Sequence, residues 1–145
     1  PGDWESLLVE RKFRDTRRWM PCELLCTHVE IDAVADIRWI EHKDWIGVDS
    51  GRAGVFLASS YANNSLVPAH IVFPESWTAV QEQEYRWDGY CSYLMQDSSA
   101  AVVPESGFVS QAGYGDGSYP VFLARDERGR VVGIRIVFIN EYGRG

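Results

Sequence analysis

A chain of 145 residues with a formal charge of −7 and 46% hydrophobic residues has the size of one domain, and its composition excludes a disordered or collagen-like chain. The sequence pI near 4.9 disfavours nucleic acid as a partner, because phosphate binding draws on Lys and Arg displacing counterions. No apolar run reaches the ~18–20 residues of a membrane span, and Pro1 to Glu10 lack the zones of a secretory signal, so the expectation is a cytoplasmic protein with no membrane partner.

Charge is unevenly spread at the start of the chain. Arg11, Lys12, Arg14, Arg17 and Arg18 make residues 1–18 either a basic N-terminal arm or a charged edge strand, the second being a common protective device. From Cys22 to Ile31 the absence of Gly and Pro predicts a strand, with Cys22, Leu24, Cys26, His28 and Glu30 on one face and Leu25, Val29 and Ile31 on the other. A turn over Asp32 to Asp36 separates it from two further strands, Ile37 to Glu41 and Trp45 to Asp49, with His42 in the connection as a surface residue.

Gly51 and Gly54 bracket a turn before a short strand, Val55 to Ala58, and Tyr61 to Pro68 is a loop by composition. One helix is expected from about Ser76 to Leu94, capped by Ser76 or Glu75, with Trp77, Val80, Glu84, Trp87, Cys91 and Leu94 at helical spacing and a weak point at Gly89. Tyr119 to Arg125 and Arg130 to Ile139 flank Asp126-Glu127-Arg128-Gly129, which predicts a hairpin closed by a type I turn and a left-handed glycine. Val131 to Ile139 is apolar on both alternating faces except at Arg135, so it belongs in the middle of its sheet. The tetrapeptide VFLA occurs at residues 55–58 and again at 121–124; two copies are too few to establish a repeat.

Two glycine-rich elements stand out: Val48-Asp49-Ser50-Gly51-Arg52-Ala53-Gly54-Val55-Phe56, and Gly107 to Val121 with Gly113-Tyr114-Gly115-Asp116-Gly117-Ser118-Tyr119-Pro120-Val121 at its end. With the Tyr85 to Cys91 segment and the closing VVGIRIVF, they resemble a family of small bacterial and phage domains of unknown function over roughly residues 13 to 139. The resemblance implies no activity. Where that family tends to show two adjacent cysteines, only Cys91 stands here, beside Tyr90, which counts against a shared thiol chemistry.

Glycines beside an acid let backbone approach a ligand, and consecutive N–H groups in such turns form anion-binding nests. The candidate ligand-binding residues are therefore Asp49, Ser50, Gly51, Tyr114, Gly115, Asp116, Gly117, Ser118 and Tyr119. The competing explanation is ordinary turn chemistry, with Asp49 and Asp116 bonding the backbone of their own turns. Cys22, Cys26 and His28, with Cys91, have the residue types of a zinc site, but C-x3-C-x-H along one strand spaces ligands in a line, and a buried thiol face is expected instead, with no metal or cofactor. There is no G-x-S-x-G, H-E-x-x-H or P-loop to point to acyl transfer, zincin chemistry or nucleotide hydrolysis. Most of the six tryptophans are expected in the core, Trp4 and Trp19 being the candidates for a contact surface.

The fold expected is α+β: a mostly antiparallel, twisted sheet or small β-sandwich with one packed helix, in a single domain, 1–145. The function expected is that of a non-enzymatic binding or regulatory module, taking a protein partner or a small ligand at the two glycine-rich loops. Its rivals are a metal-assisted hydrolase using Asp49 and Asp116, and an acidic immunity or anti-defence protein whose negative charge steers it to a basic target.

Overall fold

The structure, a computed structural model, describes residues 3–13, 18–28 and 37–140. Along the chain run β1 (Trp4–Arg11), β2 (Met20–His28), β3 (Ile40–Glu41), β4 (Ile46–Val48) and β5 (Arg52–Phe56), then α1 (Ala79–Glu84) and α2 (Arg86–Leu94). After them come β6 (Ala100–Val103), β7 (Gly107–Gln111), β8 (Gly117–Tyr119), β9 (Val121–Arg125) and β10 (Val131–Val137). The fold is α+β and mostly antiparallel. The chain divides into two compact units, one formed by 1–53 with 110–145 and the other by 54–109.

The first unit holds a five-stranded sheet in the order β1-β2-β10-β9-β3. β10 is its central strand, as its two apolar faces require. The hairpin into β10 turns as its residues dictate: Gly129 sits at φ +77, and the Asp126 N–H donates to the Arg130 carbonyl at 2.9 Å. Asp126 Oδ1 in turn accepts from the backbone N–H groups of Arg128 and Arg130, both at 2.9 Å. On β2 the alternation buries Cys22, Leu24 and Cys26 completely or nearly so, and they share the core of this unit with Ile136, Phe138 and Ile139. The far end of the expected strand, Val29 to Ile31, lies outside the described residues, as do the turn at 32–36 and Arg14 and Arg17 of the basic segment.

Glu23 alternates away from that core but is still only 8% exposed. It lies opposite Val9 on β1 and Val137 on β10. Arg135 Nε donates to its Oε1 at 2.8 Å, Arg11 Nη2 lies 3.7 Å from Oε2, and the Arg135 guanidinium also rests over the Phe122 ring, 5.4 Å from its centroid. A carboxylate taken so far out of water persists because cations reach it from both neighbouring strands.

In the second unit Trp87, Tyr90, Cys91 and Met95 of the helical segment bury themselves against Val67, Ile71, Val103 and Val109. The expected single helix is two. Tyr85 leaves helical geometry at φ −105, ψ 25 and caps both pieces, and its ring meets Trp77 edge to face at 6.2 Å. The start is also later than expected: Thr78, not Ser76 or Glu75, is the N-cap, in a capping box with Gln81. Gly89 does not break the helix. Its N–H bonds the Tyr85 carbonyl at 2.9 Å, and the absence of a side chain leaves room for the Phe73 ring. Among the six tryptophans only Trp87 is buried; Trp19 and Trp45 are exposed and the other three half-buried, a correction to the expectation that most fill the core.

The two VFLA segments do not form equivalent units. The first begins in β5 and ends with Ala58 exposed in a turn, whereas the second lies in β9 and buries Ala124 completely. β5 neighbours β7 in a three-stranded sheet, and β9 neighbours β10 and β3.

Candidate functional site

The two glycine-rich elements are neighbours in the first unit because the strands leading into them pair. β4 and β8 run antiparallel with Ile46 opposite Tyr119, Gly47 opposite Ser118 and Val48 opposite Gly117. Further along, the Gly51 carbonyl accepts from the Ala112 N–H at 3.0 Å. Between these points two residues, Asp49 and Ser50, face four, Gly113 to Asp116. That mismatch is a bulge, a device that bends a ribbon and aims its side chains outward.

One hydrogen bond closes the bulge. Asp116 Oδ1 accepts from the Gly51 N–H at 2.8 Å, so Asp116 bonds the other turn rather than its own, 65 residues away. Gly51 is thus held at both backbone groups, and its φ of +71 is a left-handed geometry that glycine adopts without strain. The longer side is braced from beneath by Tyr119, 4% exposed. Its hydroxyl lies 2.5 Å from the Gly115 carbonyl and 3.2 Å from that of Ala112, the Gly115 N–H reaches the same Ala112 carbonyl at 2.6 Å, and the ring stands edge-on to Phe138 at 5.2 Å. Burial, and secondarily the Asp116 carboxylate, pushes the Tyr119 phenol above its ordinary pKa of 10.0, so it serves as a neutral donor. Gly113, at φ +50, abuts Phe138 and Ile139.

Of the nine residues singled out from sequence, Asp49, Ser50, Tyr114, Asp116, Gly117 and Ser118 are exposed, Gly51 and Gly115 are half-buried and Tyr119 is buried. The structure brings all nine into one stretch of paired chain, but Tyr119 acts as the prop beneath it. Sequence reasoning missed Ala112, whose N–H and carbonyl tie the turn together, and the outward row Trp45–Gly47 beside it. The strand alternation of β4 carries the signal for that row.

The thiols lie elsewhere. Cys26 is held by burial up to about 12 and Cys22 is raised by burial against the opposing pull of Arg11, so neither is a thiolate at neutral pH. Among the described residues no group of three or more His, Cys, Asp or Glu is placed to hold a metal ion. His28 is packed against the Trp4 ring at 5.7 Å, and His42 Nδ1 accepts from the Asp44 N–H at 3.2 Å in an exposed turn.

A family model described as protein of unknown function (DUF4241) matches residues 45–136. The chain belongs to this family. The DUF4241 match opens at Trp45, on the approach to the first turn, and closes at Ile136 in β10, so it takes in both turns, the whole second unit and the β9–β10 hairpin and leaves out β1 to β3. No curated protein and no solved structure matches the chain.

Proposed function

We propose that the protein is a non-enzymatic binding module of the cytoplasm that engages its partner or ligand at the paired turns, with Asp49, Ser50, Tyr114, Asp116 and Ser118 as the contacting side chains. The supporting observation is the Asp116–Gly51 hydrogen bond, which makes one continuous exposed surface of two segments far apart in sequence. A surface held this way is pre-organised, and binding to it forfeits little further conformational freedom. Among the described residues no helix is long and apolar enough to cross a membrane, and Cys22, Cys26 and Cys91 as buried thiols fit a reducing compartment.

The test compares tagged wild type with the Asp49→Asn, Asp116→Asn double variant. A partner that co-purifies with wild type and is lost from the folded double variant supports the binding module. Equal recovery from both overturns it. So does nucleotide or ester hydrolysis that requires Mg2+ or Mn2+ and vanishes in the double variant, which would establish the metal-assisted hydrolase instead.

A further inference from the structure

We propose that the outward face of the β4–β8 pair receives an arginine or lysine side chain of a basic protein partner, laid across Gly47 between the Trp45 ring and the Asp49 carboxylate. This rests on the paired turns being the binding surface and names the chemistry they recognise.

Alternation along β4 turns Ile46 and Val48 inward, half-buried and buried, and leaves Gly47 outward; Trp45 and Asp49, which flank the strand at its two ends, are exposed as well. Trp45 is 56% exposed, and among the described residues its one partner is Glu41, whose Oε1 accepts from the indole Nε1 at 3.2 Å. That bond satisfies the polar edge of the ring and leaves the rest of an exposed side chain open to contact. Among the described residues, the guanidinium groups stacked on rings lie on Phe73 and Phe122, not here. Next along the strand, no atom lies within 4 Å of where a Gly47 side chain would begin, so a flat group can settle against the backbone. Ser118, directly across from Gly47, is exposed and offers a hydroxyl acceptor.

Charge selects among the ligands such a platform could take. Glu41, Asp44, Asp49 and Asp116 are exposed around it, against Lys43 in the β3–β4 connection and a half-buried Arg52, and the chain as a whole carries −7. An anion is repelled by this field and a neutral ring gains nothing from it. A cation gains twice, from the ring quadrupole and from the carboxylates, and the long-range field speeds its encounter. Trp–Arg contacts of this kind are typical of binding hot spots.

The test is an amide and indole NMR titration of the full chain with a Gly-Arg-Gly-Arg-Gly peptide at about 0.15 M salt, where surface charge is partly screened. The Trp45 indole N–H and the amides of Gly47, Asp49 and Ser118 should shift saturably. Asp49→Asn, an exposed change, and Trp45→Ala should each weaken binding by about tenfold, while a Gly-Glu-Gly-Glu-Gly peptide leaves the signals in place. Unchanged affinity in Asp49→Asn overturns the proposal, as do equal shifts at Glu75 and Glu84, acids that are no part of the β4–β8 pair. A neutral oligosaccharide or a nucleotide that moves these signals when the arginine peptide does not would overturn the cation assignment and leave the binding surface standing. Silence to all three probes, with a partner still lost from the double variant above, would do the same.

Discussion

Two turns of this protein are built around an aspartate, and they differ in what the aspartate holds. Asp126 bonds the backbone of its own turn, at Arg128 and Arg130, and Gly129 takes its positive φ with nothing within 4 Å of its missing side chain. Asp116 reaches across to Gly51, and Gly113 in the same turn is pressed against Phe138 and Ile139. The first turn is self-contained, its aspartate bonding only residues two and four positions further along the chain. The second exists only when two distant segments and the core beneath them are already in place. A surface made in the second way disappears when the fold around it loosens, and one made in the first way does not.

The largest expected effect comes from the two glycines. Gly113→Ala should destabilise by about 3 kcal/mol, the left-handed backbone and the crowding both contributing, because a Cβ there would stand 2.9 Å from Phe138 Cβ and 3.0 Å from Ile139 Cγ1. Gly129→Ala has only the backbone term and should cost about 1 kcal/mol. Urea unfolding of both variants measures the gap, and equal losses would break the distinction between the turns.

Removing the cross-chain bond comes next. Asp116→Ala should cost about 1–2 kcal/mol and speed hydrogen exchange at Gly51, in a segment remote in sequence. Asp126→Ala should speed exchange at Arg128 and Arg130 alone. Protection of Gly51 unchanged in Asp116→Ala would show that the bond does not hold the two turns together.

Tyr119→Phe removes the donor that braces Gly115 and Ala112, at about 1 kcal/mol, and alters the response to alkali. A phenol raised in the folded state favours folding below its unfolded pKa and loses that contribution as pH climbs from about 10 through the folded value. Tyr119→Phe should therefore lose less stability above pH 10 than wild type. The decline contributed by Cys26, between its ordinary 9.0 and about 12, stays in both, and denaturant midpoints across this range separate the two.

The smallest effect lies at acid pH. The backbone N–H and the guanidinium of Arg130, with the Arg128 N–H, hold the Asp126 carboxyl below its ordinary 3.8. Its contribution is present above that value and fades as pH falls through the folded one. Asp126→Asn should flatten the midpoint-versus-pH curve below about pH 4; an unaltered slope would remove Asp126 from the account.

The same contrast explains what could be read from sequence. The Asp126–Gly129 hairpin and the central place of β10 were legible because turn chemistry and two-faced apolarity are local signals. Thr78-x-x-Gln81 carries the capping-box signature as plainly, a local pattern that favours Thr78 over Ser76 as the N-cap. That the two glycine-rich elements would hold turns with left-handed glycines, at Gly51, Gly113 and Gly115, was visible from their composition. That Asp116 would bond Gly51 was not, since the register of β4 on β8 depends on contacts far apart in the chain. The VFLA echo shows the converse hazard: four identical residues end in a solvent-facing turn in one place and in a fully buried strand position in the other, because neighbours and not the tetrapeptide decide strand environment.

Glu23 adds a consequence for how the larger sheet assembles. Its carboxylate is matched to Arg135 of one adjoining strand and Arg11 of the other. Sliding β2 by a single position would swing that carboxylate to the side where Cys22, Leu24 and Cys26 lie buried and strand it without a cation. Misaligned versions of the sheet are therefore penalised far more heavily than aligned ones are rewarded, and the ion cluster works as a proofreading device that discards wrong pairings while the protein folds.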